Sequence, residues 1–283
     1  MQSLYNRHNM PSICILTDGS AQFTHPNFPG HELVHIIPFN GHKTVCQEDQ
    51  LQAGGVLAHK QMVCPSPQDF IHFYANLSRG YDSILVLTLS SLLNRTMKNA
   101  LLALDECSYS ARVEVIDTQT TAIGLGLLVE LAAGAASKGA GLKEIDQQLR
   151  AGIPRIYMLF CIPELTYLAS CGLMDYSQAM VAEMMGMLPI FAFEEGRLVP
   201  MEKVRTPRHL FEAFQDFMGE FESPSQIALL RTPVNGNLRA NSFRGFVRDN
   251  FPLTLFSEHT LQPYLAAMFG PRSIGLVVME SME

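Results

Sequence analysis

Three short polar turns each follow an apolar run in the first half of the chain: Thr17-Asp18-Gly19-Ser20, Ser90-Ser91 and Asp117-Thr118. Hydroxyls in such turns can donate hydrogen bonds to a polar or anionic ligand group, and carboxylates can orient those donors by accepting from them. Serines at strand ends also suggest a hydrolase, yet there is no GxSxG elbow and no P-loop. Gly124-Leu125-Gly126 lacks the third glycine of a dinucleotide fingerprint, which is Val129. With neither a nucleophile–base pair nor a phosphate cradle, no catalytic residue is assigned and no enzyme is expected. The six cysteines, at 14, 46, 64, 107, 161 and 171, show no CxxC spacing and read as reduced cytosolic thiols. Cys14 and Cys161 lie inside apolar runs, as small buried hydrophobes do. The nine histidines are scattered along the chain. No metal site and no cofactor is expected.

The turns need a scaffold, and the apolar pattern predicts one. Ser12–Leu16, Glu32–Phe39, Ser83–Leu89 and Val113–Ile116 read as strands. Asn40-Gly41 before Lys43-Thr44-Val45 is a hairpin signal. Helices are predicted from Pro67 to Leu77, with Ser66 as N-cap, and from Thr96 to Cys107. Two more are predicted from about Thr120 to Lys138 and from Leu142 to Gly152. Strands alternating with helices imply a parallel sheet, whose binding crevice lies at the carboxyl ends of its strands. All three polar turns fall there.

Proline at Ile153-Pro154 forbids further helix and places a domain boundary, giving a first domain over 1–154 and a second over 155–283. The second reads as a fresh α/β set. Its strands are Tyr157–Ile162, Ile190–Phe193, Gln226–Leu230, Leu253–Phe256 and Ser273–Met279. Its helices are Pro163–Leu168, Gln178–Leu188, Pro207–Phe221, Asn237–Asn250 and Leu261–Met268, with a turn at Glu194-Glu195-Gly196. Met180, Met184 and Met187 recur at helical spacing beside Met185. They form either core packing or a flexible apolar pocket lining that faces Met62 and Met268.

The whole-chain numbers agree with two globular domains: 283 residues, 47% hydrophobic and 17% charged. A net charge of -7 argues against nucleic acid, whose phosphates need clustered Lys and Arg. Residues 1–11 followed by the short run Ile13–Leu16 read as neither a signal peptide nor a membrane span. A cytoplasmic protein is expected.

Several segments, in order over essentially the whole chain, resemble the DegV family of bacterial fatty-acid-binding proteins. Thr17-Asp18-Gly19-Ser20-Ala21 resembles the family's TDSxAD opening, and Val34–Phe39 its VxVVPL strand. Pro65–Phe70 is similar to the tail of TSQPSPxDF, and Tyr81–Thr96 to YDxILxIxLSSxLSGT. Val115-Ile116-Asp117-Thr118 matches the next strand. Tyr167–Gly172 resembles YLxxGGRI. Leu188-Pro189-Ile190, Glu194-Glu195-Gly196 and Glu202–Thr206 resemble IKPIL…G…xxVRT. The resemblance implies a two-domain α/β (EDD) fold, with a mostly parallel N-terminal sheet and a mixed C-terminal one. It also implies a long-chain fatty acid held between the domains and a separate kinase that phosphorylates the acyl group. Enclosing such a chain suits this composition, since burial gains about 0.8 kcal/mol per methylene.

The head-group positions depart from the family. Where it has the first Thr of TSQPS, the Ser before Gly-Thr, and a C-terminal His, this chain has Met62, Asn94 and Met268. An Asn amide donates hydrogen bonds and methionine donates none. Arg95 replaces the loop glycine and Arg272 a second glycine after Gly270-Pro271, while the GGRI arginine is Leu173 and Arg205 of Val-Arg-Thr is kept. A guanidinium can grip a carboxylate bidentately, or simply be solvated. A head-group site of Asn94, Arg95 and Arg205 is therefore expected, with Ser20, Ser66 and Ser90 as nearby donors and Met62 and Met268 beside it. Each serine is alternatively a cap or turn residue, and Asp18 either forms the turn or orients donors. Two rival readings stay open: a divergent module of this fold for another apolar ligand, and an enzyme related to the dihydroxyacetone-kinase substrate domain or a hydrolase.

Overall fold

The computed structural model describes residues 13–39, 63–106, 108–235 and 240–281. Met62 and the expected Asn40-Gly41 hairpin lie outside them. The contacts divide the chain into two compact units, the first ending at Ile153 and the second beginning at Pro154. Among the described residues no helix is long and apolar enough to cross a membrane.

In the first unit, strands β1 (Ile13–Asp18), β2 (Val34–Ile37), β3 (Ser83–Thr88) and β4 (Arg112–Asp117) form an all-parallel sheet in the order β2-β1-β3-β4. The register runs Cys14↔Ile84, Leu16↔Val86 and Val86↔Val115. On one face, Cys14, Leu16, Ile84 and Val86 pack with Phe70, Tyr74 and Leu77 of α1 (Pro67–Leu77) and with Ala100 and Ala103 of α2 (Thr96–Glu106). Phe70, Tyr74 and Leu77 recur at i, i+4 and i+7, the stripe a helix must bury. α3 (Ala122–Ser137) contacts β1 and β3. It is apolar almost all round and largely buried. α4 (Leu142–Gly152) then packs on α3. The expected strand Glu32–Phe39 is shorter, because a 3-10 turn over His31–Leu33 precedes β2.

The second unit is built on a six-stranded mixed sheet. It contains β5 (Ile156–Cys161), β6 (Leu188–Glu194), β7 (Arg197–Val204), β8 (Pro224–Arg231), β9 (Leu255–Thr260) and β10 (Ile274–Glu280), in the order β7-β6-β5-β10-β8-β9. Among the described strands of this second sheet only β8 and β9 pair in parallel. Leu159, Leu229 and Leu276 of the sheet share a core with Phe211 and Phe214 of α7 (Pro207–Met218) and Phe243 of α8 (Ala240–Asn250). Phe160 points to the opposite face and packs against Phe269 of α9 (Pro263–Phe269), with ring centroids 4.8 Å apart and the rings tilted by 50°. α9 contacts α5 (Leu165–Ser170), which in turn packs on α6 (Tyr176–Met184).

Three second-unit expectations need correction. β7 was not foreseen. It is an edge strand carrying Pro200, Glu202 and Lys203, the composition that blunts a sheet edge. β9 lies two residues later than Leu253–Phe256, leaving Leu253 97% exposed. The helix expected from Gln178 to Leu188 ends at Met184, because Gly186 adopts φ +61 and Leu188 already pairs with Val204. Met180, Met184 and Met185 are exposed, so core packing does not describe them, and Met187 is half-buried.

Burial pushes the thiols of Cys14 and Cys161 up to about 12, whereas Cys171 is exposed. Iodoacetamide at pH 8 is therefore expected to label native protein at Cys171 while sparing Cys14 and Cys161 until denaturant is added. Peptide mass mapping checks this, and labelling of Cys14 in native protein would contradict the packing of β1.

Candidate functional site

The order β2-β1-β3-β4 reverses direction between β1 and β3, so the carboxyl ends of these two strands flank the topological switch point of the first sheet. Three segments meet there. After β1, Asp18 accepts at Oδ1 from the Ser20 amide (3.0 Å) and hydroxyl (2.6 Å). Its Oδ2 reaches across to the Leu89 amide at 2.7 Å. After β3, the Ser90 amide donates to the Thr120 carbonyl at 2.8 Å. After β4, Thr118 donates to the Thr88 carbonyl from both its amide (3.2 Å) and its hydroxyl (2.8 Å). The Gln22 amide reaches the Ala122 carbonyl at 3.1 Å, closing the ring of contacts from β1 to α3. The carboxyl of Asp18 is fully buried. Desolvation raises its pKa, opposed by the bonds from Ser20 and Leu89.

Both helices on the α1–α2 face begin at this edge. Ser66 caps α1 in a reciprocal box: its hydroxyl oxygen accepts from the Asp69 amide at 3.2 Å, and its own amide and hydroxyl donate to the Asp69 carboxylate at 2.8 and 2.7 Å. Asn94 accepts from the Thr96 amide at 2.8 Å and so covers the start of α2. One turn into α2, Asn99 donates to the Pro65 carbonyl at 2.8 Å and ties the entrance of α1 to α2. Two positive helix ends are thereby held side by side, a setting that favours an anionic group. Thr96 lies at the start of α2 with its hydroxyl buried and without a hydrogen-bond partner among the described residues. Arg95 is exposed at the same point, where the helix dipole disfavours a cation unless an anion joins it.

The sequence-predicted residues thus divide. Asn94, Arg95, Ser66, Ser20 and Ser90 all belong to the first unit's carboxyl edge. The protons of Ser20 and Ser66 are donated to Asp18 and Asp69, and Ser90 Oγ accepts from the Leu92 amide at 3.2 Å. These serines build the edge, as caps and turn formers do. In the second unit, Arg205 is exposed where β7 gives way to α7, and Met268 is buried in α9. Arg272 is ion-paired through Nε to Glu164 Oε1 at 2.9 Å, and its backbone amide also reaches that carboxylate. Thr96 and Asn99 carry roles that sequence reasoning missed, and of Ser91 and Asp117 it showed the place but not the contacts. Asp117 was visible as a strand-end residue, but nothing in the sequence shows which amides it accepts. A surface cleft of about 430 Å³ lined by Glu130, Lys138 and Glu144 lies toward the other end of α3, away from these groups.

Comparison with known proteins gives consistent matches. A family model described as an uncharacterised protein of the DegV family matches residues 51–281. A DegV domain-containing protein of Streptococcus pyogenes is 26% identical over 289 residues, covering 95% of this chain and 98% of the relative. Among solved structures, a fatty acid binding DegV family protein of Streptococcus agalactiae superposes with TM-score 0.80 at 19% identity, covering 96% of this chain and 100% of that one. The Fatty Acid Kinase (Fak) B3 protein of Streptococcus pneumoniae, loaded with linoleic acid, gives TM-score 0.77 at 15% identity, covering 95% and 100%. Motifs spread over both halves of the sequence, a parallel four-stranded sheet with a mixed six-stranded one, and a family match over most of the length lead to one assignment: the chain belongs to the DegV family.

Proposed function

We propose that this protein is a carrier that holds one long-chain fatty acid and presents its carboxylate to a separate fatty-acid kinase in the cytoplasm. The observation that carries this reading is the pair of helix starts, α1 and α2, fastened together by Asn99 at the sheet's switch point. With Asn94, Arg95 and the buried Thr96 hydroxyl at the second of them, that corner is chemically suited to a carboxylate. The S. agalactiae and S. pneumoniae proteins, described as binding fatty acid and loaded with linoleic acid, supply the ligand class. The S. pneumoniae protein's description as a fatty acid kinase B protein supports the kinase partner. The head-group contacts of this chain are rebuilt around Asn94 and Arg95, since Met62 and Met268 have no hydrogen to donate.

Mass spectrometry of an organic extract of purified protein is expected to show one fatty acid per chain. Finding no stoichiometric lipid, together with no uptake of added oleate, overturns the proposal; recovery of a lipid without a carboxyl group favours the reading as a divergent module. Replacing both Asn94 and Arg95 by Ala is expected to weaken oleate binding about tenfold more than oleyl alcohol binding. Equal losses for the two ligands would rule out a carboxylate grip at this corner. The same variant should lose about 1 kcal/mol of stability, because Asn94 caps the Thr96 amide.

A further inference from the structure

Asp18 and Asp117 stand in one cross-strand row. Thr88 pairs with Asp117, and the register Thr17↔Leu87 brings Asp18 beside Thr88. Alternation puts this row on the same face as Leu16, Val86 and Val115, hence on the side of α1 and α2. β3 is thus flanked at its end by a carboxylate from each neighbouring strand, and both turn to the segment that leaves it. Asp18 takes the Leu89 amide at 2.7 Å. Asp117 takes the Ser91 amide at 3.2 and 3.3 Å, the Ser91 hydroxyl, and the Gln119 amide at 3.0 Å. Gln119 adopts φ +53, a conformation that non-glycine residues seldom take. Between them the two carboxylates fix the first and third residues of the loop that carries Asn94 and Arg95 into α2.

We infer that Asp18 and Asp117 are positioning residues that clamp the Leu89–Arg95 loop from both sides and thereby set the head-group selectivity of the site. This rests on the proposed fatty-acid reading for its ligand, though not for its mechanics. Each group at the clamp is an N–H or O–H donor, so the clamp needs acceptor-only side chains. An isosteric amide at position 18 would keep one acceptor oxygen for three donors and turn its own NH2 toward one of them. The loop would then be held from one side only, with its backbone free to move relative to α1.

The test uses the full chain, with Asp18→Asn and, as a partly exposed second variant less prone to fold failure, Asp117→Ala. Hydrogen exchange read by mass spectrometry without added ligand is expected to speed up about tenfold in residues 89–95. Exchange in α1 and β10 should stay within about twofold of the parent. Unchanged exchange in 89–95, or an equal rise throughout the first unit, overturns the clamp. Binding of oleate and oleyl alcohol gives the second readout. A fall in the preference for the acid supports positioning, whereas equal weakening of both ligands marks the aspartates as merely structural and overturns the selectivity claim. If the parent protein binds neither lipid, the fatty-acid reading fails and exchange alone decides the clamp.

Discussion

Gly126→Ala is expected to destabilise the first unit by about 3 kcal/mol, at the upper end of overpacking costs, and to lower its melting temperature on the order of 10 °C. A Cβ built on Gly126 would lie 1.7 Å from the Gln22 carbonyl oxygen and 2.6 Å from its carbon, both backbone atoms that no side-chain rotation can move. Neither partner has room to retreat. α3 is buried along most of its length, and the Gln22 amide is bonded to the Ala122 carbonyl one turn earlier on the same helix. A second close approach fixes the far end of this strap, where Gly30 at φ +80 leaves only 2.2 Å between a hypothetical Cβ and the Ala133 carbonyl oxygen. Glu130 ties down the middle by accepting from the Thr24 amide at 2.6 Å. Residues 22–30 are therefore laid on α3 at backbone contact distance, and lifting them disturbs the Asp18–Ala21 turn to which they are joined. Gly245→Ala is the matched control. Nothing lies within 4 Å of its Cβ position in the interior of α8, so the gain in helix propensity should stabilise by about 1 kcal/mol. Thermal melts of the two variants should move in opposite directions. A Gly126→Ala melt equal to the parent would refute the backbone contact.

Much of the first unit was legible because its strands are buried on both faces and its helices are explicitly capped. Ile13–Leu16 and Ile84–Leu87 read as strands from continuous apolar runs, and Ser66-Pro67 marked the start of α1 before any contact was known. Leu142–Gly152 is bounded as read, since its apolar stripe stops where Pro154 forbids more helix. Edge strands were where the reading failed. β7 has one paired side and a polar, proline-bearing composition, and β9 carries Ser257, Glu258, His259 and Thr260 in its strand body. What makes β9 a strand is tertiary: parallel pairing with β8 and the charge of Glu258, which Arg231 and Arg244 approach from β8 and α8. Local propensity cannot report a partner that arrives from elsewhere in the chain.

The site was legible as a place and less so as a set of contacts. Polar turns after buried parallel strands identified the carboxyl edge, and family motifs singled out Asn94 and its loop. Which donor meets which acceptor depends on register. Asp18 and Leu89 are 71 residues apart, and Asn99 and Pro65 are 34 apart. The Ser66 hydroxyl, readable as a ligand donor or as a cap, caps, because Asp69 stands three residues on and answers it. Arg272 has Glu164 for a partner, 108 residues away in sequence, and no local pattern announces that pair.

Phe160→Ala is expected to cost the second unit about 3–5 kcal/mol, the range for emptying a fully buried aromatic site. The phenyl ring lies directly over Gly275, its partner across β5 and β10, at 2.5 Å from where a Cβ would stand there. The ring fills most of the space above the glycine, with the Leu230 Cβ of β8 at 3.3 Å on the other side, and β10 has no side chain at that position to close the void. On its outer side the ring packs at a tilt against Phe269, fully buried in α9, so truncation also removes the contact that seats this helix on the sheet. Met268 precedes Phe269 in α9, and loosening the helix should make the 263–269 amides exchange faster while those of α7, on the other face of the sheet, stay near the parent. Phe160→Leu should recover about half of the lost stability, since it restores apolar volume without the ring–ring contact. A melt of Phe160→Ala within 2 °C of the parent, roughly the shift from under 1 kcal/mol in a unit this size, would mean that the ring does not fill the space over Gly275. Restoring that volume from the opposite strand, with Gly275→Ala in the Phe160→Ala background, is expected to raise the melt again. In the parent the same Gly275→Ala change should lower it, because there the ring already occupies the site.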